Sequence, residues 1–472
     1  MRPDHSGTRR QFLQATGIVT AGVLAGCGSR PGAPTDESTG VTESPESRTS
    51  TETGTGQTDG TSATLVDALT DEARRVPPTG SGGGLDAVAD DLASSPIVGV
   101  GETSHGVREF KQLPARLVRR LVRDHGYRLV AMEGTLGDFA PANDYVTGRT
   151  DDLDAAMAEL EFYFWQTEGI RDLFSWLRAF NEGRTRDDVA EVIGYDAQFS
   201  WINGRAVRDY FERVDPDYLA AVADELEPLT TSPSHESGSG ESTDEVESLL
   251  SDLRDRLRGR RTEYVERASE SRWRLAMRHL WTLERGLRVT DHFRQGRTRR
   301  GEALRDESMA ANVAWLREWT GGAGVVALGN ANHTLRGYRA ADRGNARMGQ
   351  HLTDEFGADY YSLGLLFGDG TFAAPTDHAR TEFDTFDVDG PAPNTLATSL
   401  AEVDRAPYFL DFEAASDRDL IEAWLERTES VQFTVPAAAQ RGAVLLSTDP
   451  EAVMDGACFV ANVTPARFTA GR

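Results

Sequence analysis

The chain has 472 residues, 39% of them hydrophobic, so it is long enough to bury a large core. Its formal net charge is −26, and all but one of its 50 basic residues are arginine, the exception being Lys111. This acidic balance argues against nucleic-acid binding and resembles the composition of proteins from salt-loving archaea. A GC-rich genome that favours arginine over lysine would explain the basic residues equally well.

Residues 1–27 have the pattern of an export signal. Thr8 to Gln14 contains paired arginines followed by Phe and Leu, which is typical of a twin-arginine signal, and a modest apolar run from 15 to 25 follows. This run is too short and too glycine-rich for a membrane span. It ends on Leu-Ala-Gly-Cys27, which resembles a lipobox, so we expect a lipid on Cys27. The alternative is an uncleaved amino-terminal anchor.

The segment after Cys27 predicts a tether and then a folded body. Residues 28–63 are Ser, Thr, Gly, Pro and Glu with few apolar side chains, so they cannot bury enough surface to offset the entropy lost on ordering. We therefore expect a tether at 28–63 and one hydrolase domain at 64–472, held at the outer face of the cell membrane through the lipid alone. Cys458 is expected to be a small core residue.

The body predicts an α/β fold. Apolar runs typical of strands alternate with amphipathic helices, which favours a largely parallel sheet flanked by helices. The predicted strands are 97–100, 128–132, 189–193, 324–328, 360–366, 408–410, 443–446 and 457–460. No strand is predicted between 215 and 295, which indicates a helical insertion, interrupted by a Ser- and Gly-rich loop at 232–243.

Polar residues recur where the predicted strands end. Because parallel strands end at one edge of a sheet, where α/β folds bind their ligands, we expect these side chains to converge. They are Glu102, His105, Glu133, Asp196, Asn330 and His333. Each has a structural alternative when taken alone: a helix cap for Glu102, an ion pair for Glu133, a turn carboxylate for Asp196 and a backbone-bonded loop histidine for His333. As a set they predict a titratable functional site.

Several motifs, in order along the chain, resemble the erythromycin esterase family. They are Gly101-Glu-Thr-Ser-His-Gly106 with Glu109, Glu133 after the next strand, Phe164-Trp165-Gln-Thr-Glu168 leading into Trp176 to Asn181, Arg305-Asp-Glu-Ser-Met-Ala-Ala-Asn312, and Asn330-Ala-Asn-His333. The resemblance covers about residues 97–372. In one respect the chain departs from the family pattern, because Asn330 stands where the family carries the first histidine of a His-Asn-x-His stretch.

The resemblance implies a hydrolase that attacks an ester or lactone with water, without a metal or a covalent serine. Carried over by position, His105 is the general base, Glu102 and Glu133 are its orienting or proton-handling partners, and His333 is a second essential imidazole. We predict substrate contacts for Arg305, Glu109, Asp196 and Trp165, with Arg305 or an amide near Gly106 facing the oxyanion. Ser104 lies outside any Gly-x-Ser-x-Gly pattern, so we expect it to be a polar loop residue.

Two other functions fit the same residues. Two histidines and two glutamates would suit zinc or manganese in a metal-dependent hydrolase, although the chain lacks His-x-x-x-His and Cys-x-x-Cys spacings and Asn330 removes one ligand. A non-catalytic surface lipoprotein that binds a small ligand in the crevice is the second alternative.

Overall fold

The computed structural model describes residues 64–77, 83–232, 243–336, 346–376, 382–415, 419–425, 429–434, 443–448 and 454–469. The predicted signal, Cys27 and the tether lie outside these ranges, as does most of the predicted loop at 232–243. Within the described ranges, no helix combines the length and apolar character needed to cross a membrane.

Eleven strands are found among the described residues, and all eight predicted strands are present. In chain order they are β1 (Arg74–Arg75), β2 (Ile97–Glu102), β3 (Tyr127–Thr135), β4 (Glu191–Asp196), β5 (Gly324–Asn330), β6 (Tyr360–Pro375), β7 (Phe383–Val388), β8 (Tyr408–Asp411), β9 (Glu429–Thr434), β10 (Ala443–Thr448) and β11 (Gly456–Val463). The sequence did not predict β1, β7 or β9.

The main sheet has nine strands in the order β1-β8-β11-β6-β2-β5-β3-β4, with β7 paired to β6. Its six strands from β11 to β4 are parallel to one another, and the pairings of β1, β7 and β8 are antiparallel. Strands β9 and β10 form a separate antiparallel pair. The predicted fold class, a largely parallel sheet with flanking helices, is confirmed.

Helices fill most of the connections between strands. They are α1 (Leu65–Glu72), α2 (Gly83–Leu92), α3 (Glu109–Asp124), α4 (Ala140–Val146), α5 (Leu153–Ala158), α6 (Glu168–Asn181), α7 (Ser200–Val214), α8 (Pro216–Leu226), α9 (Thr243–Gly259), α10 (Arg261–Arg267), α11 (Glu270–Arg294), α12 (Thr298–Trp319), α13 (Ala331–Thr334), α14 (Met348–Phe356), α15 (Leu396–Leu400), α16 (Phe412–Ala415) and α17 (Asp419–Leu425).

The sheet is buried on both faces because successive side chains of a strand point to opposite sides. On β2, Val98 and Val100 join a core with residues of α3 and α6. Ile97 instead packs in a core that contains Met309 and Val313 of α12. Both faces are therefore covered by helices, which leaves the ends of the strands as the place where polar groups can meet a ligand.

The helices between residues 215 and 295 form their own core and border one end of the sheet. Leu253 and Leu257 of α9 pack with Leu280 and Leu283 of α11 and with residues of α7. A Cβ at Gly286 of α11 would lie 2.3 Å from the carbonyl oxygen of Ala197, so α11 sits directly on the loop that follows β4. The described residues from 216 to 294 contain helices and no strand.

Candidate active site

The ends of four adjacent parallel strands bring the polar residues together. Glu102 and Asn330, the last residues of β2 and β5, are paired in register. On the other side of β5, Met132 pairs with Gly194 and Thr135 with Asp196, so β3 has one more residue than β4 in this interval. This irregularity contains Glu133, and an extra residue of this kind re-aims a side chain at a strand end.

Two glycines keep this edge narrow enough for the side chains to meet. A Cβ at Gly101 would lie 2.2 Å from Oγ1 of Thr334 and 2.7 Å from Cα of Ala331, so α13 packs directly on β2. A Cβ at Gly329 would lie 2.2 Å from the hydroxyl of Tyr195. Both positions therefore exclude any larger residue, which explains the glycines that end the two apolar runs in the sequence.

The first half of the site is centred on His105. Its Nδ1 lies 2.6 Å from Oε1 of Glu102, and its ring is stacked on that of Phe164 with a centroid distance of 3.9 Å and an interplanar angle of 10°. A carboxylate only accepts hydrogen bonds, so this contact places the proton on Nδ1 and the lone pair on Nε2. The imidazole is thus held as the tautomer that can take up a proton at Nε2.

Asn330 occupies the space in front of that lone pair. Its Oδ1 accepts a hydrogen bond from the backbone amide of Asn332 at 2.8 Å, which caps α13 and turns Nδ2 towards His105. Nδ2 lies 3.3 Å from Nε2 of His105, and the backbone amide of Asn330 donates to Oε2 of Glu133 at 2.7 Å. The residue that departs from the family pattern therefore links the two halves of the site.

Lys111, which the sequence did not single out, completes the first half. Its Nζ donates to both carboxylate oxygens of Glu102, at 2.6 and 2.7 Å, and its side chain is 1% exposed. Burial lowers the pKa of Lys111, and the charge of Glu102 opposes this shift. The signal that marked this residue was present in the composition, because Lys111 is the sole lysine of the chain.

The second half of the site is centred on His333. Its Nδ1 lies 2.7 Å from Oδ1 of Asp306, which also accepts from the backbone amide of Met348 at 3.0 Å. Its Nε2 lies 3.1 Å from Nη1 of Arg305 and 3.7 Å from Oε1 of Glu133. Burial opposes the charge of Asp306, but His333 and the neighbouring arginines outweigh it and lower the pKa of this carboxyl. Sequence reasoning did not assign a role to Asp306.

Arg305 is held by two carboxylates. Its Nε and Nη2 donate to Asp196 at 2.9 and 2.6 Å, and Nη2 lies 3.1 Å from Oε1 of Glu133. Burial works against the charge of Arg305, yet these acids raise its pKa. For Glu133, burial opposes ionisation, but its interactions with His333, Arg305, His105 and the backbone amide of Asn330 lower its pKa. Both Arg305 and Glu133 are therefore charged at neutral pH.

The residues predicted to contact substrate lie in different surroundings. Asp196 is completely buried, and in addition to Arg305 it accepts from the backbone amides of Ala197 and Gln198. Trp165 is 2% exposed and donates from Nε1 to the carbonyl oxygen of Glu133 at 2.6 Å.

Glu109 contacts a residue outside the group. Its carboxylate accepts from the backbone amide and the hydroxyl of Thr464, at 2.9 and 2.6 Å. The contact ties the start of α3 to the loop after β11.

The carboxylate oxygens that would serve as metal ligands already contact cations, an imidazole and an amide of the protein. The two oxygens of Glu102 contact Lys111 and His105, and those of Glu133 contact Arg305 and the amide of Asn330. In the part of the chain that the structure describes, no three His, Cys, Asp or Glu side chains are arranged to hold a metal ion. This set of contacts suits acid–base chemistry.

Comparison with known proteins supports the resemblance seen in the sequence. A family model described as erythromycin esterase matches residues 122–463. The chain belongs to the erythromycin esterase family. The matched segment includes Glu133, Arg305 and His333 but begins after Glu102 and His105. The contacts in the structure place those two residues beside the rest of the site. The family supports a hydrolase of the erythromycin esterase type with a small-molecule substrate.

Two relatives match most of the chain at low identity. The erythromycin esterase type II of Escherichia coli is 22% identical over 339 residues, which cover 66% of this chain and 79% of the relative. A putative hydrolase of Bacillus subtilis, YbfO, is 20% identical over 344 residues, which cover 68% of this chain and 75% of the relative.

Solved structures share the fold. A Bacillus cereus protein superposes with a TM-score of 0.73 at 18% identity, covering 86% of this chain and 98% of that one. A mutant of the erythromycin esterase EreC in its open conformation gives a TM-score of 0.61 at 15% identity, covering 83% of this chain and 98% of that one. At these identities the superpositions show the fold alone.

Proposed function

We propose that this protein is an exported, lipid-anchored hydrolase of carboxylic esters or lactones in which His105 acts as a general base on water. The observation that carries the proposal is the contact between His105 and Glu102, which leaves Nε2 as the proton acceptor at the strand ends. The family supports a hydrolase of the same general type.

The chemistry follows from the tautomer of His105. As water attacks the carbonyl carbon, Nε2 takes up one of its protons, and the imidazolium that forms is stabilised by Glu102 on Nδ1. The same proton then passes to the leaving alkoxide as the tetrahedral intermediate collapses. An imidazole suits both transfers because its ordinary pKa lies near neutrality.

The side-chain amide of Asn330 must move away from Nε2 of His105 when a water molecule binds there. The distance of 3.3 Å between its Nδ2 and Nε2 of His105 is longer than the usual hydrogen bond of about 2.9–3.0 Å, so the contact is weak. A water molecule that takes the place of Nδ2 would lie directly in front of the base. The side-chain amide of Asn330 would turn away from His105, while its backbone amide keeps the hydrogen bond to Glu133.

Arg305 supplies positive charge on the other side of Asn330, beside His333. Negative charge develops on the carbonyl oxygen in the transition state, and preorganised charged donors favour that state over the ground state. Glu133 holds Arg305 and the backbone of Asn330 at the same time, so it sets the distance between the base and this positive region. We assign to Glu133 the role of a positioning residue.

A covalent serine mechanism has no support at Ser104. This residue is fully buried, and its Oγ accepts a hydrogen bond from the hydroxyl of Thr434 at 2.6 Å. Its side chain is engaged in fixing the loop that carries His105. Water is therefore the nucleophile in our proposal.

The substrate class is an ester or lactone of a small molecule. The Escherichia coli relative is an erythromycin esterase, so erythromycin is one candidate substrate. Export and anchoring are supported by the paired arginines at 9 and 10 and by Cys27, and they would place the enzyme at the outer face of the cell membrane.

The proposal is tested by a panel of esters and lactones, macrocyclic lactones included, assayed in molar salt with the mature protein. We expect turnover of at least one substrate and a loss of more than about 10²-fold in the His105→Ala variant. His125→Ala is a matched control, because His125 follows the far end of α3. If wild type and His105→Ala give the same background rate on every substrate, the enzymatic proposal fails and the ligand-binding alternative stands.

A further inference from the structure

Lys111 is a buried charged group to which the proposed hydrolysis assigns no role. It lies near the start of α3, and its Nζ contacts both oxygens of Glu102. Oε1 of Glu102 is shared, because it also accepts from Nδ1 of His105 at 2.6 Å. The three side chains therefore form a continuous line of contacts from the ammonium, through the carboxylate, to the proposed base.

The ammonium of Lys111 is enclosed by aromatic rings that belong to the same site. Nζ lies 4.4 Å from the ring centroid of Trp165 and 5.4 Å from that of Phe164, whose ring is stacked on His105. A Cβ at Gly169 would lie 3.0 Å from Cβ of Lys111, so the first turn of α6 packs closely on this residue. This packing restricts the position of the Lys111 ammonium.

We infer that Lys111 is a positioning residue for the hydrolysis proposed above: by holding both oxygens of Glu102, it keeps that carboxylate oriented on Nδ1 of His105 and balances its charge. The inference rests on the proposed function for its catalytic meaning. Its structural part, a buried ammonium bound to Glu102, stands independently. A carboxylate fixed at both oxygens cannot rotate away from the imidazole, which keeps Nε2 as the acceptor.

The charge of Lys111 also bears on the protonation of His105. The charged groups around the imidazole are Glu102 of β2, Lys111 of α3 and Glu133 of β3, and Glu133 is in turn paired with Arg305 of α12 and close to His333 of α13. Without Lys111, Glu102 has one positive neighbour fewer. The positive charge that forms on the imidazole as it takes up a proton then faces one cation fewer.

The choice of lysine has a physical reason in a chain that otherwise uses arginine. An ammonium is a compact point charge, whereas a guanidinium is a larger planar fork. The position of Nζ, 4.4 Å from the ring centroid of Trp165 and in contact with both oxygens of Glu102, suits the smaller group. Arginine at this position would keep the charge but displace Glu102 or Trp165, so we expect Lys111→Arg to rescue activity only in part.

One test needs no enzymatic activity. Because Lys111 is the sole lysine, labelling the protein with lysine enriched in ¹⁵N at the ε position gives a single side-chain resonance. We expect an ammonium signal whose hydrogen exchange is much slower than that of free lysine and which changes in Glu102→Gln. A signal with the exchange rate of free lysine in the folded wild type would overturn the inference, whatever the protein hydrolyses.

The kinetic test separates positioning from packing. We expect Lys111→Met to lower kcat about 10–10²-fold, with KM changed less than about 3-fold, and to move the acidic limb of the pH–rate profile upward by about one unit. The double variant with Glu102→Gln should be no slower than Glu102→Gln alone, because Lys111 acts through Glu102. Fully multiplicative losses with an unmoved acidic limb would overturn the inference. Absence of turnover in wild type would refute the proposed function, and the labelling experiment would still decide the contact.

Discussion

Replacing Glu102 with glutamine removes the carboxylate that His105 and Lys111 share. The glutamine amide has one oxygen, which accepts, and one nitrogen, which donates. Its nitrogen must face either His105 or Lys111, and both of these groups are themselves donors. If this nitrogen faces His105, Nδ1 becomes the acceptor and the proton moves to Nε2, which can then no longer take a proton from water. In hydrolytic triads the corresponding change from acid to amide costs about 10⁴-fold in kcat. We expect a loss of about 10²–10⁴-fold here.

The same substitution lowers stability because it leaves a buried charge without its partner. Removing one member of a buried ion pair costs about 3–5 kcal/mol, a large part of the roughly 5–15 kcal/mol that stabilises a folded protein. Glu102 is 4% exposed in its side chain and Lys111 1%, so solvent cannot replace the lost contact. We expect the lower end of this range, because Lys111 can lose its proton.

The stability of the Glu102→Gln variant should also depend on pH, in a direction set by the pKa of Lys111. Burial lowers the pKa of Lys111, and Glu102 opposes that shift, so the variant has the lower folded-state pKa of the two proteins. Lysine takes up a proton on unfolding wherever its folded pKa lies below the unfolded value of about 10.4. The stability of the variant should therefore rise with pH, by up to about 1.4 kcal/mol per unit more than wild type, until that value is reached.

Denaturant unfolding at pH 6, 7, 8 and 9, together with kcat on the best substrate, measures both effects. Glu355→Gln, an exposed glutamate on α14, is the matched control and should behave as wild type. Wild-type stability at every pH would refute the buried pair. A wild-type rate would refute the role of Glu102 in orienting His105.

Three further changes probe other contacts. Glu133→Gln frees Arg305 and the amide of Asn330, and should lower kcat/KM by more than about 10²-fold while the far-ultraviolet spectrum is unchanged; a loss under about 3-fold would contradict its positioning role. Asp306→Asn removes the charged acceptor at Nδ1 of His333 and should lower kcat about 10-fold or more, and an unchanged kcat would show that this histidine needs no orientation. Cys27→Ser should release the protein from washed membranes with kcat unchanged, and continued sedimentation would point to an uncleaved anchor.

The sheet could be predicted because its strands are buried on both faces. Runs such as 97–100 and 324–328 are continuously apolar, which marks a central parallel strand without any periodicity. Two of the three strands that were missed, β1 and β7, have no such apolar run. β1 is two exposed arginines, and β7, Phe383–Val388, pairs only at the outer end of β6 with most of its side chains accessible. Tertiary pairing rather than local sequence creates both.

The site could be predicted where topology alone brings residues together. Glu102 and Asn330 meet because their parallel strands end in register, and Glu133 follows from the same rule. The contacts that helices make could not be predicted in this way. Lys111 looks like a surface cation on an amphipathic helix, and only the approach of Trp165 and Gly169 buries it.

Glu109 shows that proximity in sequence does not fix the partner of a side chain. It lies four residues after His105 and forms part of the motif that resembles the family, yet its position at the start of α3 directs its carboxylate to Thr464. Asp306 was overlooked for a similar reason. Its partner His333 is 27 residues away along the chain, and their pairing depends on how α12 lies against α13.

Chemical rescue of His105→Ala tests the central claim most directly. The substitution leaves a space beside Phe164 and Asn330, where the imidazole ring now lies. If His105 is the base, added imidazole should restore a saturable part of the lost rate, and the restored rate should increase with the fraction of unprotonated imidazole. An imidazole with both ring nitrogens methylated cannot accept a proton and should give no rescue. Wild-type-like hydrolysis by His105→Ala without imidazole would contradict the assignment.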